Sequence, residues 1–124
     1  MDDRKTAADR RRALGARGED ATARRYEADG YEVLDRNWRC RDGELDLVVS
    51  RDRVLVFCEV KTRSSDRFGA PVEAVTRDKR RRIRRLAARW LDEHQLVVRE
   101  LRFDVASVLA TGGQLEIDVI EAAF

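Results

Sequence analysis

Residues 43–61 read GELDLVVSRDRVLVFCEVK. Two short, β-branched runs, Glu44 to Ser50 and Val54 to Lys61, meet at turn-forming residues around Asp52, which predicts an antiparallel hairpin. Val54 to Val60 is almost continuously apolar, the pattern of a central strand covered on both faces. Glu59 and Lys61 end that run. Residues two apart on a strand share a face, so a carboxylate and an ammonium project together just where a carboxylate is ordinarily costly to bury. A two-residue or four-residue hairpin around Ser50 to Arg53 is expected to set Val49 opposite Val54 and Asp46 opposite Phe57. Asp46 and Glu59 then become diagonal neighbours on one face. A three-residue loop sends them to opposite faces, so the pairing of the two acids depends on register.

Working outward, Tyr31 to Arg36 supplies a further strand before the hairpin. It follows a helix expected over Ala13 to Asp29, with Gly15, Glu19, Ala23 and Tyr26 on one face and Gly30 as its stop. Residues 1–12 carry little apolar content and read as a flexible lead-in to a single domain over residues 13–124. On the other side, Thr62 to Ala70 reads as a polar loop. After Pro71 a second helix is marked by Ile83, Leu86, Ala87, Trp90 and Leu91 at helical spacing. Leu101 to Leu109 and Leu115 to Glu121 are strands separated by Gly112 and Gly113. The order is α-β-β-β-α-β-β, an α/β domain with a mixed β-sheet flanked by helices.

The chain has 124 residues and a net charge of +2, with 40% charged and 43% hydrophobic, which fits one soluble domain. No apolar run nears the roughly 20 residues a membrane helix needs, and the charged N-terminus lacks the core of a secretory signal. A cytoplasmic protein without membrane contact is expected. Cys40 and Cys58 form no C-x-x-C pair and His94 is the single histidine, which argues against a disulfide framework, a zinc site or a histidine-based hydrolase triad. Chemistry then falls to Asp, Glu and Lys. Beside 23 arginines the chain has only Lys5, Lys61 and Lys79, and a retained lysine suits a place that needs a compact ammonium with an adjustable pKa.

Asp46 and Glu59 with Lys61 beside them are the components of a hard-cation site for Mg or Mn, with Lys61 orienting water or steadying a phosphate. Glu19 is a candidate third carboxylate. A plain salt bridge between Glu59 and Lys61 is the competing structural reading. The second helix carries Arg77, Arg81, Arg82, Arg84, Arg85 and Arg89 on its outer half. Such a stripe is either a solvated face or a seat for a polyanion, of which nucleic acid is the usual one. Lys79 lies on the inner side, placed either to snorkel or to point toward the carboxylates.

Further motifs are G-x-x-G-E at Gly15 to Glu19, Gly30-Tyr31, G-E-L-D-L at Gly43 to Leu47, and F-C-E-V-K-T-R at Phe57 to Arg63. Gly69, Pro71, Lys79, Arg102-Phe103-Asp104 and Ala123-Phe124 extend the set. From Leu14 to Phe124 this pattern closely resembles the YraN family of bacterial proteins, which is similar to PD-(D/E)xK nucleases and archaeal Holliday-junction resolvases. The resemblance implies a restriction-endonuclease-like core, Asp46 and Glu59 as ligands for Mg or Mn, Lys61 as catalytic lysine and Glu19 as a helix-borne acid. It also implies metal-dependent endonuclease action on DNA, with branched or repair intermediates among the expected substrates, and leaves room for a homodimer that cuts two strands. The proline that often precedes the first motif aspartate is absent. Two other functions compete: a nucleic-acid-binding module without turnover, with Arg77, Lys79, Arg81, Arg84 and Arg85 at its interface, and a scaffold meeting an acidic protein.

Overall fold

The computed structural model describes residues 6–64 and 75–124. Helix α1 (Ala7–Ala28) leads into strands β1 (Glu32–Cys40), β2 (Gly43–Arg51) and β3 (Val54–Ser64). Helix α2 (Arg77–His94) then crosses to β4 (Glu100–Thr111) and β5 (Gln114–Ile120), giving the expected order α-β-β-β-α-β-β. The five strands form one sheet in sequential order, antiparallel except for the β3–β4 pair, which is parallel because α2 carries the chain back before β4 begins. Gly69 and Pro71 lie outside the described residues.

One helix covers each face of the sheet. Ile83, Leu86, Ala87 and Trp90 of α2 pack on Leu45, Val48, Leu55, Phe57 and Phe103, with Phe57 edge-on to Trp90 at 5.8 Å and stacked on Phe103 at 5.7 Å. Ala23 and Tyr26 of α1 pack on Leu47, Val49, Val56, Cys58 and Ala106. β3 therefore contributes to both cores, as its unbroken apolar run predicts.

The first helix departs from expectation at its start and in its face. It begins at Ala7 rather than Ala13, because Thr6 and Asp9 form a reciprocal capping box that satisfies the first turn, so residues 7–12 are helical rather than lead-in. Its buried face is Gly18, Thr22, Ala23 and Tyr26, while Gly15 and Glu19 stand at its margin. Gly18 is the point of closest approach: a Cβ there would lie 1.9 Å from Thr62 Oγ1, so only glycine lets α1 cross β3 at this height.

Register differs too. The β2–β3 turn is a two-residue one, Asp52 and Arg53, both at positive φ. It pairs Arg51 with Val54 and Val49 with Val56, not Val49 with Val54. A shift of two residues keeps every side chain on its face and carries Asp46 from the level of Phe57 to that of Glu59.

Candidate active site

Regular pairing of β2 with β3 runs as far as Leu47 opposite Cys58. Beyond it, Leu45 and Val48 both enter the α2-side core although they are three residues apart, so side-chain alternation slips by one between them. Asp46 lies at that slip. Its Oδ2 accepts the Val60 N–H at 2.9 Å, the carboxylate standing in for a main-chain carbonyl on the flank of β3. Asp46 is thereby fixed beside Glu59, close enough for each to feel the other's charge.

The two acids are uncomfortable together. Burial, and after it the negative charge of Glu59, pushes the Asp46 carboxyl up to about 7, against the relief that the Val60 N–H provides. Glu59 finds its counter-ion in Lys79, whose Nζ lies 2.7 Å from Oε1, so Lys79 points toward the carboxylates rather than snorkelling outward. Burial works against charge on Lys79, but the hydrogen bond and charge of Glu59 outweigh it and raise its pKa. Lys61 is beside Lys79 in the same cluster, and burial followed by the Lys79 charge lowers its pKa. The Glu59–Lys61 salt bridge that the strand pattern allows is thus replaced by Glu59–Lys79.

Glu19 reaches the cluster from α1 without joining it. Burial raises its pKa, and the neighbouring Asn37 side chain works against that rise. Its charge is felt at Asp46. Among the described residues no three His, Cys, Asp or Glu side chains stand close enough to hold a metal ion by themselves. Two converging carboxylates whose repulsion a cation would relieve still fit Mg or Mn, hard ions that commonly use one or two carboxylates and keep several waters. Asp46 and Glu59 are the residues that would hold it.

On α2, Arg77, Arg81 and Arg85 are exposed, as the stripe requires. Arg84, exposed as well, also lays its guanidinium 4.6 Å over the Phe103 ring and 5.8 Å from that of Phe124, at the edge of the α2-side core. Arg89 pairs with Asp42 at 3.5 Å. The reason is the rotation of the helix, which brings positions 80 and 84 over the aromatic edge of the sheet.

Sequence reasoning also missed a buried polar network. Asp104, fully buried, accepts hydrogen bonds from Tyr26 Oη at 2.7 Å, Arg102 Nε and Nη2 at 2.9 Å each, and the Ala122 N–H at 3.0 Å. Arg102 also reaches Tyr31 Oη at 3.0 Å. The R-F-D string was its only signal. Cys40 and Cys58 are free thiols, and burial raises the Cys58 thiol pKa, which makes it unreactive.

The raised Asp46 pKa has a measurable sign. With a folded value near 7 against an ordinary aspartate value of 3.8, the folded protein holds this proton more tightly than the unfolded chain does. Its contribution to stability is fully present below about pH 4, declines as pH rises and is lost above pH 7. Without metal, Asp46→Asn is expected to flatten that decline and to be the more stable protein at pH 8, by about 2 kcal/mol after discounting for partial exposure. Urea unfolding from pH 4 to 8 checks it; identical profiles for the two proteins would mean that the acids do not strain each other.

Comparison with known proteins identifies the chain. Residues 18–108 match the model of the "Uncharacterised protein family UPF0102". A UPF0102 protein of Beutenbergia cavernae is 62% identical over 99 residues, 80% of this chain and 84% of its own length. One from Frankia casuarinae is 56% identical over 113 residues (90% and 96% of the two chains), and one from Myxococcus xanthus 45% over 121 (98% and 96%). The match takes in Glu19, Asp46, Glu59, Lys61 and Lys79, and the chain belongs to the UPF0102 family, the YraN family that its motifs resemble.

Proposed function

We propose that the protein is a Mg- or Mn-dependent endonuclease that hydrolyses phosphodiester bonds in DNA, with branched and repair intermediates as its substrates and the reducing cytoplasm as its setting. The observation that carries this reading is the approach of Asp46 and Glu59: burial, and after it the charge of Glu59, raises the Asp46 pKa and leaves an acid pair suited to a divalent cation, with two lysines beside it.

The bound ion supplies polarisation of a phosphate oxygen and a lowered pKa for attacking water. Asp46, fixed by the Val60 N–H, and Glu59 would hold it in place. Lys61, with a pKa already lowered, steers the water and donates hydrogen bonds to charge developing on the phosphate. Lys79 neutralises Glu59, and its ammonium, part of the same cluster, would be within the site to meet a phosphate oxygen. Glu19, beside Asn37, adds negative potential at the mouth of the site. The arginines of α2 grip the backbone of the nucleic acid.

Cleavage of single-stranded, duplex, flap and four-way DNA with and without Mn tests the activity. No cleavage of any of them, together with no heat of Mg or Mn binding in a titration calorimeter, would refute it.

A binding module without turnover is the second reading, favoured by the exposed arginines of α2. Both readings make the same prediction for these residues. Replacing Arg77, Arg81 and Arg85 by Ala is expected to weaken duplex DNA binding and to flatten its logarithmic salt dependence by roughly 0.9 for each phosphate that is no longer neutralised. Arg84 is left intact because its contact with Phe103 would mix a packing change with the change in charge. An unchanged slope would mean that the stripe is merely solvated.

A further inference from the structure

A cleft of about 500 Å³ opens between the first half of α1 and the β1–β2 hairpin, lined by Arg12, Gly15, Ala16, Glu19, Asn37 and Arg39, with Glu44 at its rim. From its chemistry and position we infer that this cleft is the seat of one unpaired nucleotide adjoining the phosphate to be cut. The inference rests on the nuclease reading and names the substrate feature that the site selects.

Position comes first. Asn37 lies between Arg36, paired with Leu47, and Trp38, paired with Leu45, at the level of Asp46 on the neighbouring strand. It holds a left-handed conformation, φ 51°, which asparagine tolerates better than most residues. Its side chain neighbours Glu19 in the cleft lining, and the charge of Glu19 is felt at Asp46. The cleft therefore adjoins Asp46 through Asn37, at the same level of the sheet, and through Glu19.

Size and chemistry follow. Gly15 and Ala16 leave the α1 side without bulk, and a Cβ at Gly15 would meet nothing within 4 Å. A volume of about 500 Å³ takes a nucleotide of roughly 300 Å³, within the usual range of ligand sites, but not a base pair with its two backbones. Glu19 and Asn37 offer acceptors and donors of the kind that read a base edge. Arg12 and Arg39 suit its phosphates: their side chains are 73% and 77% exposed, and they pair with Asp9 and Glu44. Exposed pairs of this kind are weak, so a phosphate can replace the carboxylate at little cost. A paired base would first have to leave its stack, which costs a few kcal/mol, whereas a base at a flap, gap or junction is already free.

The test measures binding without divalent ions, so that it does not depend on turnover. Two DNAs of equal length are compared, one fully paired and one with a single unpaired 2-aminopurine nucleotide. The protein is expected to bind the second about tenfold more tightly, with a change in 2-aminopurine fluorescence on saturation. Ala16→Trp, filling the cleft, is expected to remove both the preference and the fluorescence change while duplex affinity stays the same. Gly15→Phe serves as a second filler if the first melts early. Equal behaviour of the unaltered and filled proteins overturns the inference and leaves the nuclease reading in place. Failure to bind either DNA in a salt-dependent manner overturns both.

Discussion

Asp46→Asn is expected to lose metal binding and cleavage together while continuing to bind DNA. The amide keeps the shape of the carboxylate and can still accept the Val60 N–H, so β2 and β3 stay in register. What disappears is one of two charged ligands of a hard cation, for which a drop of at least about 100-fold in affinity is expected and a larger one in rate. Lys61→Ala should do the reverse. Its metal affinity is expected to stay level or tighten slightly, because a neighbouring positive charge is gone, while turnover falls by roughly 10²- to 10³-fold. Calorimetry and single-turnover kinetics on the two variants separate ligand from catalyst. If both lose thermal stability alike and neither changes a metal titration, the acids and lysines are a structural ion cluster and the nuclease reading is wrong.

The second large effect lies far from the chemistry. Asp104→Ala removes the acceptor shared by Tyr26, Arg102 and the Ala122 N–H, leaving a hydroxyl, a largely buried guanidinium and a main-chain donor without it. Stranding the partners of a buried charge typically costs about 3–5 kcal/mol, against a total stability of roughly 5–15 kcal/mol for a domain of this kind. The variant is expected to be largely unfolded at 37 °C. Tyr26→Phe removes one hydrogen bond and should cost about 1–2 kcal/mol. Urea titrations monitored by circular dichroism measure both, and a cost below about 1 kcal/mol for Asp104→Ala would show that water or a neighbour replaces the carboxylate without strain.

The sequence showed β3 and α2 clearly, since an unbroken apolar run and a regular Ile83–Leu86–Ala87–Trp90 spacing each admit few readings. It also set Asp46 and Glu59 on one face, because a two-residue or a four-residue hairpin does so, although the register read from it was two residues off. The start of α1 was hidden: its capping box lies in a polar stretch, and its buried face is made of Gly18, Thr22 and Ala23, which carry too little hydrophobic contrast to stand out. Lys79 as partner of Glu59 and Arg84 as a lid on Phe103 depend on how α2 is rotated over the sheet, a tertiary fact with no local signature. Asn37 was invisible for a similar reason. Its role arises only when α1 lays Glu19 beside β1.

The parallel join between β3 and β4 sets an order of events. Asp46 and Glu59 come from adjacent strands linked by a two-residue turn, so the acid pair is built by pairing that is close in sequence. Lys79 arrives with the crossover helix, and β4 can dock on β3 only after the long connection between them closes. Negative charge is thus assembled early and its counter-charge late. A divalent ion present during refolding would serve as a temporary counter-charge and speed the late step; pulse-labelled amide exchange on β3, run with and without Mg, would show equal rates if the acids were already neutralised by then.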